Sequence, residues 1–118
     1  MSVYAFNDNL EKVKVIELTG YQTVSAGDVG SVSWNSTALA AAGVDTSDLL
    51  NYIVLDFQTK VGSGNLWTVG RSNVVTGGSS TAPYISIDGS STTITAALFN
   101  EDSSAQTISV KVRLMKVA

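Results

Sequence analysis

The sequence contains no cysteine and no histidine. With those two residue types go disulfides, thiolate nucleophiles, Ser-His-Asp triads and the common zinc ligand sets. Folding must therefore rest on packing and backbone hydrogen bonds. Basic residues are few and scattered singly, and the net charge of -3 with a pI near 4.6 leaves no basic patch to displace counterions from phosphates. Nucleic acid is accordingly not an expected partner. Long apolar runs are missing as well, and residues 1–4, Met-Ser-Val-Tyr, lack the basic and apolar regions of a secretion signal. The expectation is a soluble protein with no membrane insertion. At 118 residues it is long enough to bury a core as one domain.

What the sequence does have is alternation of apolar and polar residues. Towards the C-terminus Ile94, Ala96 and Leu98 share one parity, Ile108, Val110, Val112 and Leu114 another, and polar residues 100–104 separate them. This pattern predicts a C-terminal β-hairpin with Thr93, Thr95, Ser109, Lys111 and Arg113 on its solvated side. Upstream, strands are expected at 12–18, with a bulge or two-sided burial at Val15-Ile16, at 21–25, around Val32 and Trp34, at 52–59, at 66–70 and at 84–88. Residues 37–50 form the one helical region: the alanine run at 38–42 favours a helical turn that Gly43 terminates, and Asp45 or Thr46 caps a second turn. Residues 74–83, which include the single proline, read as a flexible connection. About eight short strands with one short helical segment predict an all-β, antiparallel sandwich or jelly roll. Residues 1–11 form an N-terminal arm and 12–118 a single β-sandwich domain. Its predicted core is Ile53, Leu55, Phe57, Ile85, Ile87, Ile94, Leu98, Ile108, Val110 and Val112.

Residues that could carry chemistry all have simpler structural readings. Asp45 and Asp48 sit where a short helix needs a cap and negative charge, and Asp88, Glu101 and Asp102 sit in predicted turns. No calcium-loop spacing joins them to Asp56, and no aromatic-rich carboxylate pair suggests a glycosidase. The glycine-rich stretches 62–64 and 77–80 lack the lysine and following helix of a phosphate loop. Asn35-Ser36-Thr37 matches a glycosylation sequon without a secretion signal beside it. No catalytic, cofactor-binding or metal-binding residue is therefore assigned. Aromatics give the positive signal: core filling accounts for Trp34 and Trp67, but Trp67 and Tyr84 flank glycine-rich loops and are the candidate recognition positions, for protein or for sugar stacking. Tyr4 and Phe6, of equal parity in the arm, are the candidates for docking onto a neighbouring subunit.

The order of these features, from Thr-Val-Ser-Ala-Gly through Val-Ser-Trp, Ala-Gly-Val-Asp and Asn-Tyr-Ile-Val-Leu-Asp-Phe to the closing Tyr-Ile-Ser-Ile, Thr-Ile-Thr-Ala-Ala-Leu-Phe-Asn and Thr-Ile-Ser-Val-Lys-Val-Arg-Leu, resembles the small β-sandwich modules of tailed-bacteriophage virions. Tail-fibre heads and capsid decoration or cement proteins are the nearest types, over residues 12–117. The resemblance implies a non-enzymatic, usually trimeric structural protein on the particle surface, made in the host cytoplasm and released by lysis. Its partners would be other virion proteins, further copies of itself, and a host surface glycan or protein. Val54, Phe99 and Met115, left over from the predicted core faces, are the expected subunit contact. A carbohydrate-binding module is the alternative from another class, with an enzyme carrying paired carboxylates behind it.

Overall fold

The longest strand is the one with the most regular alternation. In a computed structural model that describes residues 14–69, 73–74 and 85–117, Gln106–Lys116 (β8) buries Ile108, Val110, Val112 and Leu114 completely and turns the intervening residues outward. Preceding it along the chain are Val15–Val24 (β1), Val29–Trp34 (β2), the helix Ser36–Ala42 (α1), a 3-10 helix at Thr46–Asn51, Tyr52–Val61 (β3), Thr68–Val69 (β4), Asn73–Val74 (β5), Ile85–Asp88 (β6) and Thr93–Asn100 (β7). Pairing is antiparallel except where β5 joins β7. One sheet, sheet A, has the order β1-β8-β3-β4; the other, sheet B, has β2-β7-β5, with β6 also paired to β7.

Two crossings between the sheets organise the chain. β1 passes to β2 through residues 25–28, and β7 passes to β8 through residues 101–105. Because β1 pairs with β8 and β2 with β7, the four strands form one antiparallel ribbon folded over at those crossings. This corrects the predicted C-terminal hairpin: β7 and β8 lie in different sheets, and turn-like residues between two alternating runs do not distinguish a hairpin from a fold-over. The fold-over is tied by the fully buried Asn100. Its Nδ2 donates to the carbonyls of Val24 at 2.9 Å, Ser25 at 3.3 Å and Ser104 at 3.0 Å, and its Oδ1 accepts from the Asp102 amide at 2.9 Å. Backbone groups at a sharp crossing have lost their ladder partners, and this one amide side chain supplies them.

Ile16, Leu18 and Val24 from β1, Trp34 from β2, Ile94, Ala96 and Leu98 from β7 and the inward residues of β8 form one core with Leu39 of α1 and Leu49 of the 3-10 helix. The helical segment follows its predicted logic. Asn35, the first residue of the sequon, caps α1 by accepting from the Ala38 amide at 2.9 Å. Gly43 closes it in the left-handed region at φ 100°. Asp45 then caps the 3-10 helix and, with Asp48, holds Lys116 at 3.0 Å from each carboxylate, fastening the end of β8.

Other expectations change. The strands predicted at 12–18 and 21–25 are one continuous β1 over its described length, with an unbroken register from Val15 opposite Met115 to Val24 opposite Gln106 and no bulge at Val15-Ile16. Val15 is exposed, so that stretch is not buried on both faces. Gly20 marks no break: a Cβ there would meet Val32 Cγ1 at 2.6 Å, so glycine lets β1 and β2 come together. In β3 the register shifts between Val54 and Asp56, leaving Leu55 as the extra residue of a bulge. Tyr52 and Val54 point inward before it, and Phe57 and Thr59 after it. Ile53 and Leu55, predicted in the core, are therefore on the outside, 43% and 45% exposed. Val54, predicted as a leftover contact, packs on the core instead. Ile85 and Ile87 are half-buried against it. The arm at 1–11 lies outside the described residues.

Candidate functional site

The outer face of sheet A carries an ordered series of side chains because each rung of the β1-β8-β3 ladder contributes one residue per strand. The first rung is apolar: Val15, Met115 and Ile53, with the bulged Leu55 beside it. The second is ionic, with Arg113 Nε 3.2 Å from Glu17 Oε2 and its Nη1 3.7 Å from Asp56 Oδ2. Thr19, Lys111 and Gln58 make the third, and Tyr21, Ser109 and Lys60 the fourth. The Glu17-Arg113-Asp56 rung thus divides an apolar half of the face from a basic and aromatic half.

Trp67 lies over the second half. Its ring centroid is 4.1 Å from Lys111 Nζ and 5.1 Å from Lys60 Nζ. Both lysines face outward, one on β8 and the other on β3 after the bulge, so the indole sits on the outer surface and not in the core. The core-filling account of Trp67 is thereby corrected, while that of Trp34 holds: Trp34 is buried and donates from Nε1 to the Thr19 carbonyl at 3.0 Å. Parity with Val69 suggested core for Trp67, but β4 pairs over only two residues and Trp67 precedes it. Tyr21, on the neighbouring rung, is 72% exposed. The sequence reading placed Lys111 on a solvated strand face but assigned neither it nor Tyr21 or Lys60 to a site. A signal for the lysines was present in their polar parity on adjacent strands, though the bulge displaced that parity in β3.

Cations next to an aromatic face are attracted by its quadrupole, which fixes two ammonium groups near one another without a carboxylate between them. Lys60 and Lys111 occupy diagonal positions on paired strands, about 7–8 Å apart at the backbone, where like charges repel. Among the described residues neither has an acidic partner. Those residues place the carboxylates elsewhere: Glu17 and Asp56 on Arg113, and Asp45 and Asp48 on Lys116. Asp28 is at the β1–β2 crossing, Asp88 ends β6 beside the turn into β7, and Glu101 and Asp102 stand at the β7–β8 crossing instead of in a hairpin. Asp88 is held down to a pKa of about 2, first by hydrogen bonds from the Ser90 and Ser91 hydroxyls and then by their amides. The Ser47 hydroxyl, followed by Lys116, lowers Asp45. No group of three or more metal-ligating side chains occurs among the described residues. A cleft lined by residues 46–51 and Gly89 offers only Asp48 as a charged group, and Lys116 already engages it.

Of the sequence-predicted recognition residues, Trp67 is thus brought together with Lys60 and Lys111, with Tyr21 exposed on the same outer face. Tyr84, Tyr4 and Phe6 lie outside the described residues. Searches against family models, curated proteins and solved structures find no match to this chain.

Proposed function

We propose that this protein is a non-enzymatic structural module of a bacteriophage particle surface, of the capsid-decoration or tail-fibre-head type, that works by binding other virion proteins, copies of itself or the host surface. The folded ribbon of β1, β2, β7 and β8 suits an antiparallel sandwich of jelly-roll type, the architecture that the sequence resemblance implies. The observation that carries a binding role is the apolar end of the outer face of sheet A. There Val15, Ile53 and Leu55 are exposed around Met115 in one cross-strand row, and contiguous exposed apolar surface of this kind marks contact sites. The subunit contact is accordingly assigned to Val15, Ile53, Leu55 and Met115, with Val54, which packs on the core, and Phe99, which lies on β7 in the other sheet, withdrawn from it, and trimeric assembly follows from the resemblance. Tyr4 and Phe6 are the arm residues that add to a neighbour's sheet edge.

A module of this kind performs no group transfer. Histidine and cysteine are missing from the sequence, and Asp45 serves as a helix cap, Asp88 as a turn anchor, and Glu17, Asp48 and Asp56 as ion-pair partners. Two measurements test the reading. Particles released from the producing cells should contain the chain, and deleting residues 1–9 should lower its incorporation while the sandwich stays folded. Light scattering of the purified full chain should give a trimer that the double substitution Ile53→Ser, Leu55→Ser weakens. A chain absent from particles, or a strict monomer at high micromolar concentration, would overturn the virion role and the assembly respectively.

A further inference from the structure

We infer that the basic half of the outer face of sheet A is a binding site for an acidic glycan, with Lys60 and Lys111 taking its carboxylates and Trp67 and Tyr21 flanking the sugar rings. Two ammonium groups held to a single indole, at 4.1 and 5.1 Å from its centroid, form a local positive site on a protein of net charge -3. Elsewhere in the sequence, the residues outside the described set add only Asp8 and Glu11 as carboxylate side chains. Among the described residues no carboxylate neutralises the pair, and a bound anion removes the repulsion that the diagonal placement creates.

Chemistry around the pair favours a sugar over an acidic peptide. Thr19, Gln58 and Ser109 lie on the same two rungs and present hydroxyl and amide groups that both donate and accept, the complement of a ring bearing hydroxyls. The exposed phenol of Tyr21 and the half-buried indole of Trp67 supply apolar ring surface on either side. An open sheet face, bounded on one side by the Glu17-Arg113-Asp56 rung, accepts an extended chain passing across the strands. That ionic rung also shields the site from the apolar row, so glycan binding and subunit contact use separate halves of one surface.

The test uses the purified full chain and three probes: hexagalacturonate, its uncharged methyl ester, and a hexaglutamate peptide. Calorimetry should show saturable binding of hexagalacturonate, weaker at high salt, and none of the ester. Emission from Trp67 should change on binding, and Trp67→Phe should abolish that change, leaving the buried Trp34 silent. Lys60→Gln and Lys111→Gln should each weaken binding about tenfold, the loss of one charge-assisted hydrogen bond, while the arginine substitutions retain it. All four lysine variants alter outward-facing side chains, and an unchanged thermal midpoint verifies their folding. No binding of hexagalacturonate at about 1 mM, binding that survives both glutamine substitutions, or equal binding of hexaglutamate would each overturn the assignment. These readouts depend on neither particle incorporation nor oligomeric state, so failure here is separable from failure of the virion role.

Discussion

Strands β8 and β3 lie side by side in sheet A, and both alternate apolar with polar residues, yet they use that alternation differently. β8 keeps one inward parity from Ile108 to Leu114. β3 begins with its even residues inward and, after the bulge at Leu55, continues with its odd ones. An apolar residue on β8 is therefore placed by its parity alone, whereas on β3 its place depends on which side of one extra residue it stands. The consequence reaches the surface as well as the core. The bulge turns Ile53 and Leu55 to the surface, creating the apolar row, and sets Lys60 on the same outer face as Lys111.

The largest expected effect lies on the regular strand. Val110→Asp should bury a carboxylate opposite Thr59 with no cation to meet it, and loss of the cooperative thermal transition is the expected result. Next comes a matched pair: Leu114→Ala should cost about 2–5 kcal/mol, whereas Ile53→Ala, from an equally apolar sequence context, should stay within about 0.5 kcal/mol in urea unfolding. Equal losses at the two positions would mean that β3 keeps a single parity after all. A finer cut removes the bulge itself. Deleting Leu55 should leave a folded protein, because Tyr52, Val54, Phe57 and Thr59 then fall on one regular inward face. Deleting Gln58 should unfold it by driving Thr59 outward. Circular dichroism on the two deletions reads the difference directly.

The smallest effect belongs to a turn that touches neither strand. Asp88 has its folded pKa lowered from 3.8 to about 2 by the Ser90 and Ser91 hydrogen bonds, so its contribution to stability is complete above about pH 4 and fades as pH falls through 2. In Asp88→Asn the slope of stability against pH between those values should be shallower than in the parent. An unchanged slope would remove Asp88 from the acid response.

The two halves of the comparison also divide what could be read from the residues. Parity alone located the inward residues of β7 and β8, and Gly43 and Asp45 marked the end of the first helix and the cap of the second, because these features depend on neighbours a few positions away. The bulge left a continuous Ile-Val-Leu run that reads equally well in either register, so nothing local marked Leu55 as the residue without a partner. Pairing between β7 and β8 failed for a related reason. Whether two strands joined by a short polar link share a sheet is decided by β1 and β2, residues at the far end of the chain, which compete for the same edges. As for the candidate site, Trp67 was visible as an aromatic beside a flexible loop, but its lysines come from strands about fifty residues apart in sequence and meet only through the ladder.

The placement of β7 and β8 at the middle of their sheets also governs when the protein can acquire its structure. β8 pairs with β1 and β3, β7 pairs with β2, β5 and β6, and both follow β1, β2 and β3 in the chain. Until both are made the early strands have exposed edges, and the pairing that joins Val15 to Met115 must bridge 100 positions of sequence. Such long-range pairing folds slowly and passes through species open to wrong partners. At high concentration of unfinished chains, those partners are the β1 and β2 of neighbouring copies. Yield of the native protein should therefore depend on the rate at which the final strand is completed more than on the stability it confers.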